Sequence, residues 1–356
     1  MRAVLEAARL PRVSVVVPCR NEERFIERAL DSLLGGSYPR DLVEVIVVDG
    51  GSTDRTRKIV ADRARSDGRV RLIDNRYAIT PVGLNLGIAS SHGQVIARAD
   101  AHTIYPPEYL AALVRALIES GADMVGGLAE NVPCEEGPLA EALSIATGSA
   151  FGTGSPFRYR KKSGPVDTVP FGCWWREGLL RFGLFDERLV RNQDNELASR
   201  ILRDGGRIFQ TDATCVRYFN RPSLRGLWRQ AATTGMWNAF TQRLHPYTFR
   251  LRHFLPGLFF LGVLAAAAAI LVGGLASIAG LAGLGAAVLA PYFAVNGAVA
   301  TVLAQRRRRL ALAPLIAFVL ASYHFTYGFG IAKGWLLVAT GAWRRRLGGR
   351  KEARLS

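Results

Sequence analysis

Val95-Ile96-Ala97-Arg98-Ala99-Asp100-Ala101-His102 decides how the chain is read. A short apolar run that ends in a carboxylate and an imidazole predicts a buried strand. Such a strand delivers polar side chains at its carboxyl end, where α/β sheets keep their ligands. Carboxylate and imidazole together can hold a divalent cation such as Mn²⁺ or Mg²⁺. A plain polar loop after a strand has the same pattern, so the weight of the motif depends on its surroundings.

Upstream, Val13 to Pro18 is β-branched and closes on proline, which predicts a buried parallel strand. Arg20 to Leu34 carries Phe25, Ile26, Ala29, Leu30 and Leu33 on one helical face, and Gly35-Gly36 stops it. Val43 to Val48 is the second strand and delivers Asp49. Gly50-Gly51-Ser52-Thr53-Asp54 then turns the chain into a helix to about Arg65, with Ser52 or Thr53 as the expected cap. Val70 to Ile73 predicts a third strand, Pro81 opens a helix through Ala89, and Pro106-Pro107 starts another over Glu108 to Ser120. Strand alternating with helix predicts a Rossmann-like α/β fold, a mostly parallel sheet with helices on both faces. Between Gly126 and Val169, Gly, Pro and Ser prevail, which predicts long substrate-facing loops.

After Asp212 the character changes. Ser223 to Arg243 is basic, aromatic and amphipathic, with Leu227, Trp228, Trp237 and Phe240; it suits a membrane interface or packing on the soluble domain. Phe254 to Ala276 and Leu281 to Leu303 carry no charged side chain, and each is long enough to span a bilayer. Arg250 and Arg252 on one side, Arg306 to Arg309 on the other and the uncharged link 277–280 predict a hairpin with both outer ends in the cytoplasm. The last apolar stretch, Leu310 to Trp343, contains Pro314, His324 and Lys333 and precedes Arg344-Arg345-Arg346. A single span would place those arginines outside, so a re-entrant segment or two short spans is expected. The organisation expected is a catalytic domain over 1–220, interfacial helices over 221–253, a membrane region over 254–343 and a basic tail over 344–356.

A formal charge of +17 on 356 residues calls for an anionic partner. Because the C-terminal arginines are interleaved with apolar runs, anionic membrane lipids fit better than a nucleic-acid groove. No zinc-finger, helix-turn-helix or basic-aromatic pattern supports nucleic acid. Cys19, Cys134, Cys173 and Cys215 are scattered without a Cys-x-x-Cys pair, as expected for free thiols in a reducing compartment. Met1 to Pro11, with Arg2, Glu6 and Arg9, lacks the apolar core of a signal peptide, which places the catalytic part in the cytoplasm.

Two further motifs carry chemistry. In Asp49 to Asp54 the glycines permit close backbone approach, and the carboxylate at the strand end can accept from a base or a ribose hydroxyl. An ordinary Asp-Gly turn remains open there. The first strand is not followed by a GxGxxG turn, which disfavours a nicotinamide oxidoreductase. Arg191-Asn192-Gln193-Asp194-Asn195-Glu196-Leu197 places acids at a helix start, where they serve either the helix dipole or general-base catalysis. His245, His253 and His324 are too dispersed for a metal set.

Taken in order, Val15-Val16-Val17-Pro18-Cys19-Arg20-Asn21-Glu22-Glu23, Asp49 to Asp54, Asp100-Ala101-His102-Thr103 with Pro106-Pro107, and Asp194 to Leu197 resemble the motifs of family 2 glycosyltransferases with the GT-A fold. The similarity runs from about residue 11 to 245. Arg98 to Thr103 with Tyr105-Pro106, and Val190 to Asp194, look most like the branch that builds succinoglycan by extending lipid-linked sugars for exopolysaccharide.

The resemblance implies roles. Asp49 with the loop Pro18, Arg20, Asn21 and Glu22 would hold the uracil and ribose of a UDP-sugar. Asp100 and His102 would stand at the family's Asp-x-Asp position and bind a divalent cation, Mn²⁺ or Mg²⁺, on the diphosphate. Asp194 would be the base, and Gly172, Cys173, Gln193, Arg229 and Gln230 would serve the sugar or acceptor pocket. The implied reaction is inverting transfer from a UDP-sugar to a polyprenyl-diphosphate-linked saccharide. His102 stands where Asp is usual and Gln193 where Glu is common. Trp228-Arg229-Gln230 followed by Ala231-Ala232-Thr233-Thr234 departs from the Gln-x-x-Arg-Trp of processive synthases. That favours one sugar per encounter over a polymer synthase; a nucleotide-sugar-binding scaffold would bind without turnover.

Overall fold

The computed structural model describes residues 10–154, 158, 162–220, 223–249 and 251–344, the side chains of 251 and 252 excepted. The β-branched runs form the middle of one mixed sheet: β1 (Val13–Cys19), β2 (Val43–Asp49), β3 (Val70–Asp74) and β4 (Val95–Arg98) are mutually parallel. β5 (Thr103–Ile104), β6 (Met124–Val132), β7 (Gly164–Pro165), β8 (Cys173–Trp175) and β9 (Ile208–Phe219) complete it. The order is β3-β2-β1-β4-β8-β6-β9-β5, with β7 on β9, and β8 runs antiparallel to β4. This is the expected α/β architecture.

The chain divides into two compact units. The first holds the described residues 10–130 and 162–218, and the second holds 131–154 and 219–344. The first unit contains helices α1 (Ile26–Leu34), α2 (Thr56–Ser66), α3 (Thr80–Ala89) and α4 (Tyr109–Ser120). The second contains α5 (Pro138–Thr147), and the first resumes with α6 (Arg176–Arg181) and α7 (Gln193–Arg203). One core cluster packs Leu84 and Ile88 of α3 and Leu197 and Ile201 of α7 with Val16, Ile46, Ile96 and Trp174 from four strands. The sheet register sets the edge where chemistry happens: Cys19 pairs with Asp49, Asp49 with Asp74, and Val16 with Arg98.

Three local expectations are revised. α1 begins at Ile26 rather than Arg20, because Asn21 is left-handed at φ 55° and the backbone donors after it point elsewhere. The N–H groups of Asn21, Glu22 and Glu23 donate to Ser52 Oγ (2.9 Å), Thr56 Oγ1 (2.7 Å) and Asp54 Oδ2 (3.2 Å). α2 begins at Thr56, and neither Ser52 nor Thr53 caps it: Ser52 turns back to Asp49, while Asp54 Oδ1 accepts the Thr56 N–H at 3.0 Å. The stretch expected to be loops contains β6 and α5, whose amides bond to sheet and helix despite the glycines.

Residues 131–154, within the span expected for the catalytic domain, group with the C-terminal helices in the second unit. α5 shares a buried cluster with the later helices α8 (Leu224–Leu244), α10 (Ala279–Arg306) and α11 (Ala313–Ala339), through Leu143, Leu227, Ala300 and Ile316. α9 (Leu255–Leu275) and α10 make the expected hairpin, turning at Ser277, and close approach needs small residues. A Cβ on Gly285 would lie 2.5 Å from the Ala266 carbonyl oxygen.

α8 packs against α11, a third partner that neither sequence alternative named. The contact is backbone to backbone: a Cβ on Gly330 would sit 2.3 Å from Ala232 O, and one on Gly235 2.3 Å from Tyr327 O. α11 is one unbroken helix and not a re-entrant or doubled segment. Pro314 falls in its first turn, where no amide bond is lost. Its glycines 328, 330 and 334 meet neighbouring backbone. Three segments, Leu255–Leu275, Ala279–Arg306 and Leu310–Ala339, are long and apolar enough to cross a membrane. They turn large apolar side chains such as Leu258, Leu271 and Leu275 outward. Of the flanking cations, Arg250 and Arg345 onward lie outside the described residues, as does Met1 to Arg9; Arg306 to Arg309 are exposed.

Candidate active site

Three polar stretches meet at the carboxyl edge of β1, β2 and β4. Asp49 ends β2 and is 2% exposed. It accepts the Ser52 hydroxyl at 2.5 Å and the Ser52 N–H at 3.2 and 3.3 Å, and Arg57 stands 3.7 Å away. Asn21 Oδ1 accepts the Thr53 N–H at 2.8 Å. The loop after β1 and the loop after β2 are therefore clasped to each other by their own polar groups. Arg20 is exposed beside this clasp and Pro18 half-buried.

The second group is built on β4. Arg98 donates to Asp100 Oδ1 at 2.8 Å and is ion-paired through its other terminal nitrogen with Asp194. Burial works to discharge Arg98, and Asp100 and Asp194 outweigh it, so the guanidinium is held charged. Tyr105 braces the turn, with its hydroxyl accepting the Asp100 N–H at 2.6 Å and donating to Asp100 O at 3.1 Å. His102 Nδ1 lies 3.0 Å from Glu22 Oε1, and its ring meets Tyr218 edge-on at 5.0 Å. Burial pulls the imidazole pKa down, but Tyr218, Glu22 and Asp100 outweigh this and push it up to about 10.

Asp194 sits in the first turn of α7 after Asn192, which is left-handed at φ 65°. That turn aims the carboxylate back at Arg98 and away from a capping position. Gln193 is buried, with Nε2 3.5 Å from Asp194 Oδ2. Gly172 and Cys173 lie beneath Arg98: Gly172 O accepts the Arg98 N–H at 2.9 Å, and Cys173 pairs with Ala97. A Cβ on Gly172 would lie 2.3 Å from the Trp174 ring. Cys173 is 1% exposed and its thiol is pushed up to about 12 by burial, so it is an inert packing group and offers no pocket surface. Both residues, expected at a pocket, stand buried within the sheet beside β4.

The structure brings Asp49 with Asn21, Glu22 with His102, and Asp100 with Asp194. Arg229 and Gln230 belong to α8 in the second unit, with Arg229 exposed. Among the described residues, no three His, Cys, Asp or Glu side chains converge on a metal position. His245 turns to Tyr247, and His324 to Tyr292 and Phe151 O. The sequence reading gave no site role to Arg98, Tyr105 or Tyr218, and took Ser52 only as a helix cap. Arg98 was discoverable as a cation two residues before a proposed cation ligand; the others act through contacts invisible in spacing.

The sequence profile of Glycosyl transferase family 2 matches residues 14–188. The succinoglycan biosynthesis protein ExoA of Rhizobium meliloti is 32% identical over 253 residues, 68% of this chain and 73% of that one. A dolichyl N-acetyl-glucosaminyl phosphate diacetamido-dideoxy-glucuronosyltransferase of Methanococcus voltae is 22% identical over 231 residues, 63% of this chain and 71% of its own. Mannosyltransferase PcManGT from Pyrobaculum calidifontis, solved with GDP-Man and Mn²⁺, shares the fold at a TM-score of 0.53 and 20% identity, covering 89% of this chain and 88% of its own. Fold, ordered strand-end motifs and these likenesses agree that the chain belongs to glycosyltransferase family 2, with a GT-A catalytic fold followed by three long apolar helices.

Proposed function

We propose that the chain is an inverting transferase that moves a hexose, such as glucose, from a UDP-sugar to a polyprenyl-diphosphate-linked saccharide in exopolysaccharide or other cell-surface glycan synthesis. The observation that supports this reading is the guanidinium of Arg98, which pairs at once with Asp100 and Asp194, the carboxylates proposed for the donor diphosphate and the acceptor. The likeness to ExoA and to a lipid-linked sugar transferase supports the substrate class.

Asp49, held by Ser52, receives the uracil and ribose beside Pro18, Arg20, Asn21 and Glu22. Asp194 takes the proton of the acceptor hydroxyl. The hydroxyl oxygen bonds to C1 of the sugar, and the bond from C1 to the diphosphate breaks with its electron pair leaving on UDP, so the anomeric configuration inverts. Gln193 serves the acceptor.

The residues present fit a divalent cation completed by diphosphate oxygens. Asp100 offers a carboxylate; His102, held protonated by Glu22 in the metal-free site, would give up its Nε2 proton to take a metal while Nδ1 keeps Glu22. Bound there, Mn²⁺ or Mg²⁺ supplies charge stabilisation to the departing diphosphate. The apolar helices hold the enzyme in a bacterial-type inner membrane with the catalytic domain on the cytoplasmic face, and Arg306 to Arg309 meet anionic lipid headgroups.

Native membranes carrying the full chain, incubated with radiolabelled UDP-sugars and lipid-linked acceptors, test the reading. Asp194→Asn lowers transfer about 10²–10⁴-fold, and a chelator abolishes transfer until Mn²⁺ or Mg²⁺ is restored. Full transfer by Asp194→Asn refutes the assignment of the base.

A further inference from the structure

We propose that Arg98 is a positioning residue whose guanidinium fixes Asp194 relative to Asp100, and so sets where the acceptor hydroxyl is deprotonated. The inference rests on the reading of Asp194 as the base.

Arg98 begins from a rigid backbone. Its N–H donates to Gly172 O at 2.9 Å, and the next N–H, of Ala99, donates to Val16 O at 3.0 Å. Its side chain is 12% exposed and reaches Asp100 with one terminal nitrogen and Asp194 with the other. A planar fork that meets two carboxylates fixes their separation, which an ammonium on a flexible stem does not. Arg98 Nε is buried without a hydrogen-bond partner among the described residues. Leaving that donor unmet is destabilising, and buried ion groups are often replaced by apolar side chains at no loss of stability. A cation here also keeps Asp100 and Asp194 from facing each other unpaired, so it serves stability as well as geometry, and kinetic readouts separate the two.

The need for an anchor is local to Asp194. Its side chain is 33% exposed, in the first turn of a helix, and beyond Arg98 its hydrogen-bonded neighbour is Gln193 at 3.5 Å, the outer limit of such a bond. Without the guanidinium the carboxylate is released to rotate into solvent. The same cation sits between two anions that would otherwise face an incoming diphosphate together, which favours donor and base being present at once.

The test uses the full chain in native membranes, with donor and acceptor saturation curves. Arg98→Met lowers kcat about 10–100-fold, the loss that follows removal of an orienting partner, and raises the donor KM by less than that, through the unshielded Asp100. Arg98→Lys, which keeps charge without the fork, falls between. Added guanidinium ion restores part of kcat to Arg98→Ala and none to Asp194→Asn. Arg98→Met combined with Asp194→Asn is no slower than Asp194→Asn alone, as for residues acting through one another.

Wild-type kcat in Arg98→Met, a loss expressed only in donor KM, or losses that multiply in the double variant would each overturn the proposal. If Arg98→Met does not fold, Arg98→Lys and the rescued Arg98→Ala decide it. An inactive Asp194→Asn beside a fully active Arg98→Lys and Arg98→Met removes only the positioning role. An active Asp194→Asn removes the base and this inference with it.

Discussion

Ser52→Ala removes one hydroxyl from the clasp between two loops. That hydroxyl donates to Asp49 Oδ1 at 2.5 Å and accepts the Asn21 N–H at 2.9 Å. The first bond reaches a carboxylate that is 2% exposed, so it is charge-assisted and poorly replaced by water. A bond of that kind contributes about 1.5–3 kcal/mol and the neutral one about 0.5–1.5, giving a loss of about 2–4 kcal/mol. In a unit of this size each kcal/mol lowers Tm by about 2–4 °C, so the melt falls by about 5–15 °C. The loss has a functional side, because Asn21 and Asp49 belong to the proposed nucleoside site: the Asn21 N–H and one Asp49 oxygen lose their partner, while Asn21 keeps Thr53. The donor KM rises about tenfold, the equivalent of about 1.4 kcal/mol. Thermal melts of the detergent-solubilised chain and donor saturation curves measure the two effects, with Ser52→Thr, which keeps the hydroxyl, as the restoring control. A Ser52→Ala protein that melts and binds donor like wild type, or a Ser52→Thr protein that behaves like Ser52→Ala, refutes the clasp.

Two more expectations follow from other contacts. Gly330→Ala and Gly235→Ala each force a Cβ to 2.3 Å from a facing carbonyl oxygen and destabilise the α8–α11 pair by about 1–3 kcal/mol; Gly262→Ala, whose Cβ meets nothing within 4 Å, leaves the melt unchanged. The His102 pKa of about 10 exceeds its ordinary 6.5, so the Glu22 pair contributes fully below about pH 6.5 and fades as pH rises through about 10. In chelator, the melting advantage of wild type over Glu22→Gln should therefore hold at neutral pH and vanish by about pH 11; an advantage that grows with pH would contradict the pair.

Much of the sheet was readable before any coordinates. Val13 to Pro18, Val43 to Val48 and Val95 to Ala97 are short β-branched or apolar runs, and each became a central strand because local preference and burial agree there. The α9–α10 hairpin was readable for a similar reason, since two uncharged runs of that length have few other uses. The start of α1 was not readable. Helical periodicity covers Arg20 to Phe25, but three of that loop's amides are claimed by a loop about 30 residues away in sequence.

The third apolar stretch shows the other side. A charge rule that counts arginines argued for a break in 310–343, and packing made it one helix. Pro314 falls where a proline costs nothing, and the glycines that look like breakers are the places where α8 and α9 come close.

Returning to Arg98-Ala99-Asp100-Ala101-His102, sequence alone determined that a strand ends there in a carboxylate and an imidazole, because strand propensity and side-chain chemistry are local properties. Only the tertiary structure decided what those groups face. Sheet register and the left-handed turn at Asn192 put Glu22 on His102 and Asp194 on Arg98, partners far apart in the chain. Pairings of that kind depend on how strands align and where a helix begins, and no spacing within one motif encodes them.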